Sequence, residues 1–518
     1  MKIRNPVLVG FNADPSFLRV GNDYYLATST FEWFPGVQIH HSTDLANWET
    51  VSYVLEDDQV LDMTGLEGAC GIWAPNITWS DGLFYVAYTI VYTNRYRYKD
   101  TCNFVVTAPD VRGPWSAPVK LSRQGFDPSI FHDDDGKKYM VVQTIDHRTS
   151  RERFTGIDVQ EYDPVQKKLI GQPVRVFGGT KHGTTEGPNI IKKDGWYYLT
   201  VAEGGTEFHH RATVTRSRSV WGPYEESPYN PLIISYGQED CQLARAGHGQ
   251  IIQGHDGNWY MAHLCARPVD MCSILGRETA IQNICWTEDG WPKLEANDNA
   301  KPETAFDVPW DVQQRFGHSQ RVDFSHDPLP IDYVTLRHGM EACGVSIDNG
   351  QLLIRGGFSP MSRFEQGFIA RRQQAFDCDF TTRMHFEPRH LNHIAGMMVY
   401  YNYDNHYFLK MILDEQGKCL TVTSVLNREM EDSAPVYLPD EAEAVWLKAE
   451  IRTRELQYFY SLDGKEWHKV GGVLDMRNIS DERIEGNGFT GSMLGVHCSD
   501  CMGDGVEARF DFLHYDEL

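Results

Sequence analysis

Asp14 in "FNADPSF", Asp127 in "GFDPSIF" and Glu186 in "TEGPNI" stand in three versions of one phrase, an acid beside proline or glycine followed by an apolar run. Carboxyls gathered in one place could do acid–base chemistry at a bond between sugars. One, kept protonated by burial or by a negative neighbour, donates to the leaving oxygen. A second, ionised, attacks the anomeric carbon or activates a water. A third raises the pKa of the acid by repulsion and holds it in place. A single Asp-Pro more often caps a turn at a strand start. The chemistry therefore depends on whether the fold brings the three together.

A repeat supplies that gathering. "WAPNITWSDGLFYVAYT" from Trp73 and "GHGQIIQGHDGNWYMAHLC" from Gly247 join "ADPSFLRVGNDYYLAT", "FDPSIFHDDDGKKYMVVQT" and "TEGPNIIKKDGWYYLTVAE". Each phrase passes from proline or glycine through a short apolar strand to a turn whose residues tolerate positive φ. Each then enters a second strand rich in Tyr, Trp and Val, which is the pattern of a hairpin. The starts lie roughly 53 to 62 residues apart, the length of a four-stranded blade with its loops. Outer-strand phrases such as "STDLANWETV", "APDVRGPWSAPV" and "SRSVWGPYEES" fall between them in step.

The expectation is an all-β chain whose residues 1–300 form a five-bladed β-propeller. The N-terminal "KIRNPVLV" is expected to close the ring within the last blade. Innermost strands begin beside the axis, so the positions read as equivalent, Asp14, Ala74, Asp127, Glu186 and His248, converge on one funnel. Ala74 shows that the repeat itself needs no acid there. Like charges gathered without a purpose would cost stability, so the three carboxyls point to function.

The chain has 518 residues, enough for two domains, and is 41% hydrophobic and 12% aromatic. A formal charge of −24, spread along the chain, excludes nucleic acid and anionic membranes as natural partners. No window reaches the ~18 apolar residues of a membrane span, and the start of the chain lacks a signal-peptide pattern. Eleven scattered cysteines without zinc-like spacing read as free thiols of a cytoplasmic protein. After "GWPKL" the blade phrases stop. A polar, proline-containing linker is expected over residues 301–320, and short strands over 321–518 read as a β-sandwich packed on the propeller.

The ordered set "NADPS", "WAPN", "FDPSIF", "TEGPNI" and "GHG" resembles glycoside hydrolase family 43 along the whole chain, in particular its two-domain β-xylosidases. The resemblance implies Asp14 as general base, Glu186 as general acid and Asp127 as pKa modulator of a single-step, inverting hydrolysis. It further implies Phe31 and Trp73 as apolar walls of the sugar pocket, with Ala74, Thr206, His248 and Arg277 lining it. Read alone, Phe31 and Trp73 are core aromatics, and a surface ion pair is the alternative reading of Arg277. His248 read alone is a core histidine with satisfied nitrogens, and the resemblance also allows it as a ligand of the central metal seen in parts of the family. No cofactor is required on this reading, although calcium near the propeller centre stays open. His209 and His210 read as rim or loop residues.

The implied substrate is a β-1,4-xylo-oligosaccharide cut at its non-reducing end, with side activity on α-L-arabinofuranosides, by a homo-oligomeric enzyme. An arabinofuranosidase or arabinan-degrading enzyme of the same family is the alternative, and a non-catalytic sugar-binding propeller is the alternative of another class. Five-bladed fructosidases carry Asn-Asp-Pro-Asn, Arg-Asp-Pro and Glu-Cys phrases that this chain lacks. One departure stands out: Ile145 in "QTIDHR" occupies a place where this branch often has tryptophan, which puts the leaving-group subsite in question. The sandwich is expected to lend the pocket rim a loop, and Cys498 to Gly505 is the candidate.

Overall fold

The computed structural model describes residues 1–94, 97–324, 328–486 and 488–518. Five antiparallel sheets form the propeller, each built from strands in chain order. Their innermost strands are Ser16–Val20, Gly71–Ser80, Ser129–His132, Glu186–Lys193 and Ala244–Gln253. The hairpins turn where positive φ is tolerated, as at Asp81-Gly82 (54° and 76°) and Asp194-Gly195 (51° and 73°). Below the strand starts, polar side chains from successive blades bond to one another across the axis. Ser16 Oγ donates to Gln250 Oε1 at 2.8 Å, while Asn76 Nδ2 donates to Ser16 Oγ at 3.2 Å and to Asn189 Oδ1 at 2.9 Å. The blades are thus tied at the centre by hydrogen bonds and between their faces by apolar packing.

Ring closure differs in detail from the expectation. Val7 and Leu8 donate their N–H groups to the Thr279 carbonyl of blade 5, at 2.8 and 3.2 Å. The first strand, Lys2–Arg4, instead pairs with Ala305–Asp307 in a separate two-stranded sheet. A strand therefore lies within the stretch 301–320. Beyond it, two sheets of eight and nine strands pack face to face around one core. Among the described residues the sole helical element is the 3₁₀ turn Met476–Ile479.

Propeller and sandwich share structure. Trp33–Phe34, from the loop after the first hairpin, pairs with Val334–Leu336 at the edge of the nine-stranded sheet. Trp33 is fully buried, 5.8 Å from the Tyr400 ring and 6.1 Å from Phe368. One apolar cluster runs from Phe31 and Trp73 to Phe368, Tyr400 and Met493. The loop that carries Phe31 is thereby set by both domains.

Candidate active site

Asp14, Ala74, Asp127 and His248 share an unusual backbone, with φ of 55°, 30°, 55° and 46°. In blade 4 the matching residue is Gly187, φ 57°, and not Glu186. Proline fixes the register, since Pro15, Pro75, Pro128 and Pro188 each follow the left-handed residue. Glu186 thus stands one place earlier, level with Trp73 and Phe126. The offset has a packing reason. A Cβ on Gly187 would lie 2.7 Å from His248 Nε2, so only glycine lets the imidazole close over this strand. The Gly187 N–H also donates to Asp127 Oδ2 at 3.0 Å.

Asp14, Asp127, Glu186, His248, Arg277, Thr206, Phe31 and Trp73 all line one pocket. Ala74 does not; its N–H donates to Ser29 Oγ, which donates to Asp14 Oδ2, both at 2.8 Å. Ala74 therefore serves through its backbone. Arg277 is no surface residue: it is 2% exposed and donates from Nη1 to Asp14 Oδ1 at 2.7 Å. His210 is not on the rim either. It is fully buried, against the Gly247 backbone, with Nδ1 on the Gly205 carbonyl.

The three carboxyls are driven apart in proton affinity. Burial alone would raise all of them. At Asp14 burial is outweighed by the Arg277 charge and the His248 hydrogen bond, which hold the carboxyl well below the usual carboxylate range. At Glu186 burial and the Asp127 charge together push the pKa to about 8, against the pull of His248 and Lys99. Asp127 rises to about 6 through burial, opposed by His248 and reinforced by Asp14. His248 is itself raised, because Asp14, with Nδ1 3.5 Å from Oδ1, and the other two acids overcome its burial. These surroundings favour an ionised Asp14 and a protonated Glu186 in the same pocket at neutral pH.

A buried carboxylate steadies the acid's strand. Glu203 Oε1 accepts from Thr180 N–H at 2.7 Å and from Thr185 Oγ1 at 3.0 Å, while Oε2 accepts from Thr180 and Thr213 hydroxyls. The segment leading into Glu186 is thus tied down at several points.

Four residues or groups here were not foreseen in the sequence. Phe126, beside Asp127, forms a third aromatic wall. Lys99 is buried with Nζ 4.3 Å from the Trp73 ring and 4.4 Å from Phe126, and burial together with the Arg153 charge pushes its pKa down to about 8 against the pull of Glu186 and Asp127. Phe489 from the sandwich closes the fourth side, 5.2 Å from Trp73 and 5.7 Å from Phe31, and its carbonyl accepts from Arg277 Nη2 at 3.3 Å. Ser29 is the relay already described. The Phe489 loop corrects the expectation that Cys498 to Gly505 would reach the rim. Cys498 and Asp500 sit in a buried strand, and the Asp500 carboxylate is spent on the N–H groups of Met502, Gly503, Gly505 and Val506.

Outward from Glu186 the pocket opens into a cavity of about 820 Å³ between the domains. Lys99, Arg153, Phe154, Phe208 and Arg245 line it from the propeller, and Asp481, Glu482 and Phe489 from the sandwich. Ile145 is absent from this lining. Its cross-strand neighbour Phe154 supplies the aromatic surface instead, 5.8 Å from Phe126.

A calcium ion takes 6–8 oxygen ligands. Around His248 several oxygens are already engaged: Asp14 with Arg277 and Ser29, Asp127 Oδ2 with the Gly187 N–H, and the axial amides with one another.

With the arrangement established, comparison decides the family. The model for glycosyl hydrolases family 43 matches residues 3–292, and that for the β-xylosidase C-terminal concanavalin A-like domain matches residues 321–516. The chain belongs to glycoside hydrolase family 43. Xylan 1,3-β-xylosidase of a Vibrio species is 40% identical, with 99% of each chain covered. Xylosidase/arabinosidase 43B of Humicola insolens is 42% identical over 99% of this chain and 97% of its own. Among solved structures, a xylan β-1,4-xylosidase from Bacillus halodurans C-125 superposes with a TM-score of 0.96 at 41% identity, covering 99% of this chain and all of its own. This family 43 chain thus combines a five-bladed propeller with a concanavalin A-like sandwich.

Proposed function

We propose that this family 43 protein is an inverting exo-β-xylosidase that releases D-xylose from the non-reducing end of β-1,4-xylo-oligosaccharides, with α-L-arabinofuranosidase side activity. The observation that carries the reading is the gathering of Asp14, Asp127 and Glu186 in one aromatic-walled pocket, with Arg277 bonded to Asp14. Glu186, protonated, donates to the glycosidic oxygen as the bond breaks. Asp14, ionised, takes a proton from a water attacking the opposite face of the sugar. Asp127 adds its charge to burial in keeping Glu186 protonated. Arg277 and His248 hold Asp14 in place and offer donors to sugar hydroxyls. Phe31, Trp73, Phe126 and Phe489 enclose the ring and exclude water. Relatives named for xylosidase and for combined xylosidase/arabinosidase activity support both halves of the proposal.

The substrate linkage is proposed as β-1,4, supported by the name of the superposed Bacillus halodurans enzyme. Free thiols at all eleven cysteines support a cytoplasmic location. No described helix is long and apolar enough to cross a membrane. The proposal requires no metal, and it includes a homo-oligomer, which sedimentation would test. Side-by-side release of nitrophenol from β-xyloside and α-arabinofuranoside substrates tests the activity. The expected result is hydrolysis of both with the xyloside preferred. Hydrolysis of neither would overturn the reading.

A further inference from the structure

Arg245 lies three residues before His248 on the innermost strand of blade 5, with φ of 56° and 3% exposure. Both the left-handed backbone and the burial disfavour a long charged side chain, and such outliers persist where the surroundings hold them for a use. The guanidinium crosses to the sandwich. Nη1 donates to Asp481 Oδ2 at 2.8 Å, and Nη2 lies 2.8 Å from Glu482 Oε1. The two acids are gripped from further sides: the Tyr401 hydroxyl donates to Asp481 Oδ1, and the Ser273 N–H and hydroxyl donate to Glu482 at 2.8 Å. Phe208 lies against the guanidinium, 5.3 Å from its carbon.

Asp481 and Glu482 begin the same loop that delivers Phe489 to the pocket. Its far end is fixed by close backbone approach, since a Cβ on Gly276 would meet the Thr490 carbonyl at 2.4 Å and one on Gly491 would meet the Leu275 carbonyl at 2.3 Å. The near end is held to blade 5 through loop side chains: by the Arg245 fork on Asp481 and Glu482, by Ser273 on Glu482 and by Arg477 on Asp270. We infer that Arg245 is a positioning residue that, by gripping Asp481 and Glu482 across the domain boundary, seats Phe489 as the fourth wall of the sugar pocket. The inference rests on the pentose pocket proposed above. Arginine suits the task because its planar fork bonds two carboxylates at once, which a lysine ammonium does less well. Without the cation, two neighbouring buried carboxylates would repel and draw in water, and the loop would lift.

Kinetics of Arg245→Met, Phe489→Ala and the double variant on an aryl β-xyloside test this, alongside hydrogen exchange of ligand-free protein. Each single change should raise KM roughly tenfold, and the double variant should be no worse than Phe489→Ala, since both remove the same wall. Exchange across residues 480–486 and 488–492 should rise about tenfold in Arg245→Met, with strand Met493–Asp500 still protected. Multiplying losses in the double variant, or unchanged exchange in the loop, would overturn the inference. Should Arg245→Met fail to fold, Glu482→Gln carries the same two measurements. A wild-type protein inactive on xylosides would sink the functional reading, and the exchange result would still decide the role of Arg245.

Discussion

At Asp14 and Glu186 one functional group is driven to opposite states by its neighbours. Arg277 and His248 press against Asp14, whereas Glu186 faces Asp127. Activity that needs protonated Glu186 should fall as pH rises through about 8. Asp127 is ionised in that range, so its charge adds to burial in lifting the acid. Asp127→Asn should therefore lower kcat and move the alkaline limb of the pH–rate profile to lower pH, because an acid relieved of repulsion loses its proton earlier. An unmoved alkaline limb would remove Asp127 from that role. Leaving groups separate the other two residues. Glu186→Ala should slow xylobiose hydrolysis by ~10²–10⁴-fold and a nitrophenyl xyloside far less, since nitrophenolate departs without protonation. Asp14→Ala should slow both alike. Equal losses for Glu186→Ala on the two substrates would argue against its being the acid. These three acids were legible in the sequence because each sits beside a proline or glycine of a repeat. The one-residue offset of Glu186 was not interpretable there, because it follows from the ring of His248 packing on Gly187.

The inner strands act as elements by their first residue. Left-handed backbone at Asp14, Asp127 and His248 turns each side chain into the funnel, a strained conformation for these residues that the contacts of the pocket hold in place. Gly187→Ala tests this directly. The added methyl would strike His248 and strain a φ of 57°, displacing the donor to Asp127. Loss of about 10²-fold in kcat/KM is expected, with a melting temperature lowered by only a few degrees because the remaining blade contacts persist. Full activity would show that the strand start tolerates movement. Five hairpins were readable from alternation and turn residues, and so was the sandwich. The pairing of Lys2–Arg4 with Ala305–Asp307 was not, since nothing local in either stretch names its distant partner.

For the whole molecule, the sandwich is part of the catalytic unit. It completes the sheet begun by Trp33–Phe34 and supplies Phe489 to the pocket. A chain ending near residue 320 should aggregate or lose activity even on a small aryl xyloside, because it exposes the shared apolar cluster and opens one pocket wall. A soluble truncation with full activity would show the domains to be separable. Phe489 and Lys99 escaped the sequence reading for a related reason: their places depend on domain docking and on a loop, and no repeat position announces them. Chelation by EDTA should leave activity unchanged, and a loss restored by calcium would reopen the axial site. The central claim, that Asp14 directs a water to one face while Glu186 protonates the oxygen on the other, is most directly tested by proton NMR of the first product formed from a β-xyloside. α-Xylose appearing before mutarotation is the predicted result; β-xylose appearing first would make Asp14 a nucleophile and contradict the account.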